Sequence, residues 1–244
     1  MSGDISHLKQ IAAGQAVAFV ESGMVVGMGH GSATLFAVHR IAELLQSGKL
    51  CDILGVPCSL QIEQEALRLG IPLTTLDEQP IIDLTIDGAD EVELNLDLIK
   101  GAGGALLREK IVAQASLREI IIVDESKLSP ALGTRRMLPI EVVPFGWRTQ
   151  VVYLESLGAR VSVRRNSDTT FFKTDQGNMI LDCNFGPISQ PTSLAAELTK
   201  RVGIVEHGLF LGLATDVIVA GAEGIHHLTR QDDTTQDCKG YDRD

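Results

Sequence analysis

A glycine-rich loop between a predicted strand and a predicted helix is the first place where this sequence could do chemistry. The run Gly27–Thr34 reads Gly-Met-Gly-His-Gly-Ser-Ala-Thr and overlaps the end of the apolar run Met24–Met28. Glycines let the backbone approach a ligand closely, and the following helix offers free N–H groups and a positive dipole end. We expect the loop to bind a phosphate, with hydroxyl donors from Ser32 and Thr34. A tight turn that only packs helix on strand is the alternative, and the dinucleotide fingerprint fits poorly because Ser32 replaces its last glycine.

Two aspartates follow a later apolar run, Ile81–Ile86. Asp87 and Asp90 flank Gly88 and Ala89, at the carboxyl end of a predicted strand, where open α/β sheets bind their ligands. Two carboxylates three residues apart suit sugar hydroxyls, a proton relay or a hard cation. The alternative is a turn in which both aspartates cap their own backbone.

A lysine and a glutamate flank another glycine turn. Lys100 follows the apolar run Leu96–Ile99, and Glu109 lies within the predicted helix Ala105–Ala115. On a helical wheel Glu109 falls among apolar residues, so its carboxylate is expected to be desolvated, with a raised pKa that suits a general base. An ordinary surface glutamate would pair with a cation four residues away, but those positions hold alanines.

Lys127 lies just past a further apolar run, Ile120–Val123. It could reach an anion at the same sheet edge, although a loop lysine taken alone is more often simply solvated. Of the six histidines, His30 is the one inside a candidate site. The four cysteines are scattered, and no histidine or cysteine spacing typical of a metal site occurs. We expect neither a metal nor another cofactor.

These candidates need a scaffold of alternating strands and helices. The predicted strands are Met24–Met28, Asp52–Val56, Ile81–Ile86, Leu96–Ile99, Ile120–Val123, Leu138–Val143, Arg160–Arg164, Phe171–Thr174, Met179–Cys183, Ile204–Glu206 and Asp216–Ala220. The predicted helices are Leu35–Gln46, Gln61–Leu69, Ala105–Ala115, Trp147–Leu157 and Ser193–Arg201. The alternation predicts an α/β fold with a Rossmann-like, mostly parallel sheet covered on both faces.

The order of elements changes near Gly133. From there it follows the β-α-β-β-α-β order of a ferredoxin-like α+β unit, with a hairpin turn at Asp175–Asn178. We predict a Rossmann-like catalytic domain of residues 1–132 plus 208–228, with a smaller ferredoxin-like domain of residues 133–207 inserted as a lid or oligomerisation unit. The polar residues 229–244 are expected to form a tail.

Charge and hydropathy exclude several classes of partner. The 244 residues carry 32 acidic and 21 basic side chains, a formal charge of −11, which argues against nucleic acid or an anionic membrane as a partner. No secretory signal is visible at Met1–Asp4, and the apolar run Leu209–Ala222 is too short to span a bilayer. We therefore expect a cytoplasmic protein.

Taken together, the motifs resemble the type A ribose-5-phosphate isomerase family, from about Leu8 to Leu228. The most specific segments are Asp87–Glu91 and Lys100–Lys110, and Ile140–Pro144 and Asp175–Asn178 also resemble family segments. The resemblance implies an aldose–ketose isomerase of the pentose phosphate pathway, with a Rossmann-like domain and a ferredoxin-like lid. It also implies no metal and a homodimer or homotetramer.

The resemblance also implies roles for individual residues. Glu109 would be the catalytic base, and Asp87, Asp90 and Lys100 would complete the catalytic set around a sugar phosphate. The substrate-binding residues would be Lys9, His30, Gly31, Ser32, Ala33, Asp87, Gly88, Ala89, Asp90, Lys100, Gly101, Ala102, Gly103 and Lys127.

One loop departs from the family pattern. The family usually reads Gly-Thr-Gly-Ser-Thr where this chain has Gly29-His30-Gly31-Ser32-Ala33. We expect His30 to lie beside the sugar phosphate and, when protonated, to attract it; an outward-facing ring is the alternative.

Other functions to weigh are a coenzyme A transferase with Glu109 as nucleophile, a non-catalytic sugar-phosphate sensor and, less favoured, a dinucleotide-dependent dehydrogenase.

Overall fold

The computed structural model describes residues 2–230, and their side chains from residue 5 onward. The helices are α1 (Ser2–Val17), α2 (Ser32–Gln46), α3 (Leu60–Arg68), α4 (Leu106–Ala115), α5 (Trp147–Ser156) and α6 (Pro191–Thr199). The strands are β1 (Val25–Met28), β2 (Leu54–Pro57), β3 (Leu84–Gly88), β4 (Glu91–Val92), β5 (Leu98–Ile99), β6 (Glu119–Asp124), β7 (Leu138–Val142), β8 (Arg160–Val163), β9 (Met179–Asn184), β10 (Ile204–His207), β11 (Leu209–Phe210), β12 (Asp216–Gly221) and β13 (Gly224–Thr229).

The largest sheet has the order β13-β12-β6-β3-β1-β2. All neighbouring pairs are parallel except β12 with β13. One face packs against α1, α2 and α3, and the other against α4 and a three-stranded sheet, β11-β5-β4. Because both faces are covered, β6 and β12 are buried along their whole length. The predicted Rossmann-like α/β fold is confirmed.

The second, four-stranded sheet is antiparallel, with the order β10-β7-β9-β8. Its core joins strand residues such as Ile140 and Leu181 to Leu154 of α5 and Leu198 of α6. The chain order β7-α5-β8-β9-α6-β10 is the predicted ferredoxin-like order. The expected small α+β unit with an antiparallel sheet is thus confirmed.

A buried carboxylate organises the crossing from the main sheet to the four-stranded sheet. Glu91 has no exposed surface. It accepts backbone hydrogen bonds from Gly133, Arg135 and Arg136 at 2.9, 2.9 and 3.2 Å. Since a charged acceptor strengthens each hydrogen bond, Glu91 fixes the path of the chain just before β7.

The four largest errors in the predicted elements are one false strand, one strand boundary, one missed helix and one missed strand; the two-residue strands β4 and β11 were also not predicted. Phe171–Thr174 is not a strand, since Phe171 makes one isolated bridge and β9 pairs with β8 instead. The strand expected from residue 81 begins at Leu84. Helix α1 was not predicted, because it buries mainly small residues, with Ala12, Ala13 and Ala16 at its core.

The fourth detail concerns the end of the fold. Strand β13 was not predicted and extends to Thr229, and the Arg230 N–H donates to Thr215. The described fold therefore continues beyond residue 228, and the rest of the predicted tail, 231–244, lies outside the described residues. Among residues 2–230, no helix is both long and apolar enough to cross a membrane.

Candidate active site

The glycine loop after β1 closes over the end of β3. The His30 N–H donates to Asp87 Oδ1 at 3.0 Å, and a Cβ placed on Gly29 would lie 2.1 Å from that same oxygen. Gly31 has a φ of +118° and is the N-cap residue directly before α2. Glycine is needed at both positions, for close approach at one and for a left-handed backbone at the other.

Lys100 lies between two carboxylates beneath this loop. Its Nζ is 2.9 Å from Asp87 Oδ2 and 3.0 Å from Glu109 Oε1, and it also donates to the Gly88 carbonyl. Asp87, Lys100 and Glu109 are 0, 2 and 4% exposed. Asp87 near the end of β3, Lys100 directly after β5 and Glu109 of α4 therefore form one buried charged cluster.

The electrostatics of this cluster favour a protonated glutamate and a charged lysine. Burial, opposed by the Lys100 ammonium and reinforced by the Asp87 carboxylate, raises the pKa of Glu109 to about 8. Burial by itself lowers the pKa of Lys100, but the carboxylates of Asp87 and Glu109 more than offset it and hold that pKa above its ordinary value. A carboxyl group with a pKa near neutrality exchanges protons readily at physiological pH.

Asp90 and the four-stranded sheet hold the second glycine loop. Asp90 Oδ2 accepts the Ala102 N–H at 2.8 Å. Arg164, the residue directly after β8, donates to the carbonyls of Gly101 and Ala102 at 2.8 and 2.9 Å. Phe172 lies so close to Gly104 that a Cβ there would meet its ring at 2.4 Å. The loop that follows Lys100 is thus braced from both sides.

A cavity of about 150 Å³ opens above the cluster. Its lining includes most of the predicted substrate-binding residues: Lys9, His30, Gly31, Ser32, Ala33, Gly88, Ala89, Asp90, Lys100, Gly101, Gly103 and Lys127, together with Glu109. Asp87 lies beneath the cavity, and Ala102 has an exposed position beside it. Thr34, expected to offer a hydroxyl, is buried in α2 and does not line the cavity.

Two lysines give one end of this cavity a positive charge. Lys9 of α1 donates to Ser32 Oγ at 3.0 Å, and Lys127 follows β6 in a short helical turn that Asp124 caps. Burial lowers the pKa of Lys127, as does the nearby Arg136 charge, whereas Asp90 and Asp124 oppose that effect. Two ammonium groups beside the N-terminus of α2 suit a phosphate.

His30 faces inward, as expected, and the surroundings of its ring in the free protein disfavour a positive charge. Its Nδ1 is 2.9 Å from Ser59 Oγ, and its other edge lies over Gly103. Burial lowers the pKa of the imidazole below 6.5; Lys100 lowers it further, whereas Asp87 partly offsets these effects. The ring is therefore neutral at pH 7.

Sequence reasoning missed several residues that shape this site. Ser59 fixes the His30 ring, Arg164 holds the second loop, and Ile122, Val123 and Asp124 complete the cavity wall. Asp124 carried a usable signal, since it is an acid at the carboxyl end of a parallel strand. Ser59 and Arg164 carried none, because their contacts depend on the tertiary fold.

Within residues 2–230, no group of three or more His, Cys, Asp or Glu side chains is arranged to hold a metal ion.

Fold and site together define a class of protein: an α/β protein with a second, antiparallel sheet and a buried carboxylate–lysine cluster beneath a glycine-rich loop. The sequence model of one family, ribose 5-phosphate isomerase A (phosphoriboisomerase A), matches residues 54–224. The chain belongs to this family.

Individual relatives agree over nearly the whole chain. Ribose-5-phosphate isomerase A of Chloroflexus aurantiacus is 60% identical over 92% of this chain and 94% of its own length. The protein of the same name from Desulfatibacillum aliphaticivorans is 56% identical over 91% of this chain and 96% of its own.

Solved structures give the same result. A D-ribose-5-phosphate isomerase in complex with phospho-erythronic acid superposes with a TM-score of 0.91, at 39% identity over 93% of this chain and 99% of that chain. The ribose 5-phosphate isomerase from Plasmodium falciparum superposes with a TM-score of 0.90, at 40% identity over 92% of this chain and 99% of its own. The predicted family resemblance is confirmed.

Proposed function

We propose that this protein interconverts ribose 5-phosphate and ribulose 5-phosphate, with Glu109 as the general base. The observation that carries the proposal is the buried Asp87–Lys100–Glu109 cluster beside a cavity that Lys9 and Lys127 also line. The cavity thus offers a proton acceptor at one end and an anion site at the other. A sugar phosphate needs both.

The reaction moves one proton between two carbons of the sugar. Glu109 removes the proton from C2 of the open-chain aldose, which leaves a cis-enediolate, and returns it at C1 to form the ketose. A second proton passes between O1 and O2. Because one carboxylate performs both carbon steps, no co-reactant is consumed. The raised pKa of Glu109 lets the same group act as base and then as acid.

Lys100 supplies the charge that the enediolate needs. In the free protein its ammonium is shared among Asp87, Glu109 and the Gly88 carbonyl. When Glu109 takes the proton it becomes neutral, so its hold on Lys100 weakens just as negative charge develops on the sugar oxygen. A preorganised donor of this kind stabilises the transition state more than the ground state. Asp87 and Asp90 hold sugar hydroxyls or carry the O1/O2 proton.

The phosphate end orients the substrate. The backbone N–H groups of residues 31–33 at the start of α2, with Lys9 and Lys127, bind the 5-phosphate in this proposal, since the His30 N–H already donates to Asp87. Binding energy spent at this remote, non-reacting group positions C1 and C2 against Glu109. The rival coenzyme A transferase and sensor hypotheses gain no support from the relatives, which are isomerases by name.

Proton NMR of ribose 5-phosphate in D2O tests the proposal directly. We expect the enzyme to form ribulose 5-phosphate and to exchange protons at C1 and C2 with solvent deuterium. A preparation that binds the sugar phosphate without isomerisation would leave the sensor hypothesis instead. A glutamyl thioester trapped with a coenzyme A ester would favour the transferase.

Further expectations belong to the same proposal. We propose a homodimer or homotetramer, a cytoplasmic location and no metal or other cofactor. We also propose the domain division at residues 132/133 and 207/208, with the 133–207 unit as a lid or oligomerisation unit. The contacts of Arg164 and Phe172 with the 101–104 loop support a lid role, because they join the smaller sheet to the cavity wall.

A further inference from the structure

The imidazole of His30 is held on one side and free on the other. Its Nδ1 is 2.9 Å from Ser59 Oγ. Its Nε2 edge lies over Gly103, where an added Cβ would be 2.5 Å from Nε2, and both residues line the cavity. Within residues 2–230, Nε2 has no hydrogen-bond partner. One nitrogen is therefore committed to the protein, and the other is available to a bound molecule.

Ser59 determines which nitrogen carries the proton. Its side chain is buried, and its Oγ already accepts the Ile62 N–H at 3.2 Å as the cap of α3. In the described part of the chain, the other partner of this oxygen is His30 Nδ1. The Ser59 hydroxyl hydrogen needs an acceptor in this buried setting, so it points at Nδ1. An Nδ1 that accepts leaves the proton of the neutral ring on Nε2.

The charges around the ring place it at the reacting end of the cavity. The charged groups that act on His30 are Asp87 and Lys100 first, then Asp175 and Asp90. Lys9, by contrast, acts on Lys127 at the anion end. The His30 N–H donates to Asp87 Oδ1 at 3.0 Å and the ring lies over Gly103, so His30 adjoins the Asp87–Lys100–Glu109 cluster. Ser32 of the same loop, by contrast, contacts Lys9.

We propose that Ser59 fixes His30 as the Nε2–H tautomer and that this neutral N–H donates a hydrogen bond to the sugar oxygen on which the enediolate charge develops. This inference rests on the proposed isomerase function and deepens it. His30 would contact the substrate, and Ser59 would be a positioning residue that acts through His30. A neutral donor polarises the oxygen without giving up its proton, and it complements the charged Lys100 on the same intermediate.

The tautomer is tested on the ligand-free protein, independently of activity. Long-range 1H–15N NMR correlations distinguish an Nε2–H ring, an Nδ1–H ring and an imidazolium. The His30 signals are identified by their absence in His30→Gln. We expect the Nε2–H form at pH 7, and a mixture of tautomers in Ser59→Ala. An Nδ1–H ring or an imidazolium at pH 7 in the wild-type protein would overturn the proposal.

Kinetics of matched variants test the hydrogen bond. The glutamine amide nitrogen reaches the position of Nε2, whereas the asparagine amide reaches only that of Nδ1. We expect His30→Ala and His30→Asn to lower kcat by about 10²-fold with little change in KM, and His30→Gln to recover most of that loss. His39→Gln, on exposed α2 surface, is the control. Equal kcat values for the Asn and Gln variants would contradict the proposal.

Two further measurements separate this role from phosphate binding and from simple stability. Competitive inhibition by inorganic phosphate should change less than about threefold in His30→Ala, because the phosphate subsite is elsewhere. A larger loss of phosphate binding than of kcat would assign Nε2 to the phosphate instead.

Ser59→Ala should lower kcat, and Ser59→Thr, which keeps the hydroxyl, should restore it. An Nε2–H ring in a protein without isomerase activity would refute the proposed function but not the tautomer.

Discussion

Arg164, which follows β8 of the four-stranded sheet, donates a 2.8 Å hydrogen bond to the carbonyl of Gly101, the residue after the buried Lys100. The same guanidinium also donates to Ala102 and pairs with Asp182. One side chain next to the smaller sheet therefore holds the loop that follows Lys100 of the buried Asp87–Lys100–Glu109 cluster. This contact predicts that activity responds to changes remote from the reacting atoms.

Arg164→Lys is expected to lower kcat/KM by about tenfold without unfolding the protein. A lysine keeps the positive charge but lacks the planar guanidinium, in which Nε and Nη2 pair with Asp182 while Nη1 donates to the two carbonyls. The 101–104 loop therefore loses its fixed geometry. Steady-state kinetics and circular dichroism measure the two effects. Arg165→Lys, at the exposed neighbouring position, is the matched control and should retain wild-type activity. Equal kinetics for both variants would show that this brace has no catalytic consequence.

Glu91→Gln is expected to lower the free energy of unfolding by about 2 kcal/mol. In the wild-type protein, the backbone N–H groups of Gly133, Arg135 and Arg136 donate to the two oxygens of the Glu91 carboxylate. The glutamine side chain of the variant offers them a single neutral oxygen. Urea denaturation followed by circular dichroism gives the value. Glu155→Gln, on an exposed part of α5, should stay within about 0.5 kcal/mol of wild type. A loss for Glu91→Gln as small as that of the control would contradict the account of the crossing.

The pH dependence of kcat/KM is expected to follow the ionisation of Glu109. Its pKa in the free protein is raised from 4.5 to about 8, and the base is active only when deprotonated. Activity should therefore rise about tenfold per pH unit below this value and level off above it. Because the Asp87 carboxylate contributes to the increase, Asp87→Asn should move the rising limb to lower pH. A rising limb near pH 4.5, or one that moves upward in Asp87→Asn, would contradict the electrostatic account.

Chelation is expected to leave activity unchanged. Lys100 occupies the space between the Asp87 and Glu109 carboxylates, at 2.9 and 3.0 Å, and its charge repels a cation there. Initial rates before and after exhaustive EDTA treatment and gel filtration test this. Activity that is lost with EDTA and restored by Mg²⁺ or Mn²⁺ would make the aspartates metal ligands.

Part of this site could be predicted because parallel strands bring their carboxyl ends to one edge of a sheet. The loops after β1, β3 and β6 were recognised from glycines, acids and lysines that follow apolar runs. Their convergence in one cavity follows from the α/β fold. Glu109 was identified from its apolar helical face, and the structure shows it 4% exposed.

The remaining features depend on tertiary contacts that no local pattern encodes. Ser59 meets His30 across 29 residues, and Arg164 meets Gly101 across 63. The sequence also does not reveal that the His30 ring is buried, and this burial lowers the imidazole pKa in the free protein. Helix α1 was missed because its buried face consists mainly of alanines, which give little hydrophobic contrast.

Glu109→Gln gives the most direct test of the central claim that Glu109 is the general base. The amide keeps the shape of the side chain and an acceptor for Lys100, but it cannot take the C2 proton. Turnover of ribose 5-phosphate and exchange at C1 and C2 in D2O would be measured by proton NMR, with substrate binding and the fold checked separately. We expect binding to persist and both rates to fall by about 10²–10⁴-fold. A variant that keeps more than about a tenth of the wild-type rate would contradict the assignment of Glu109 as the base.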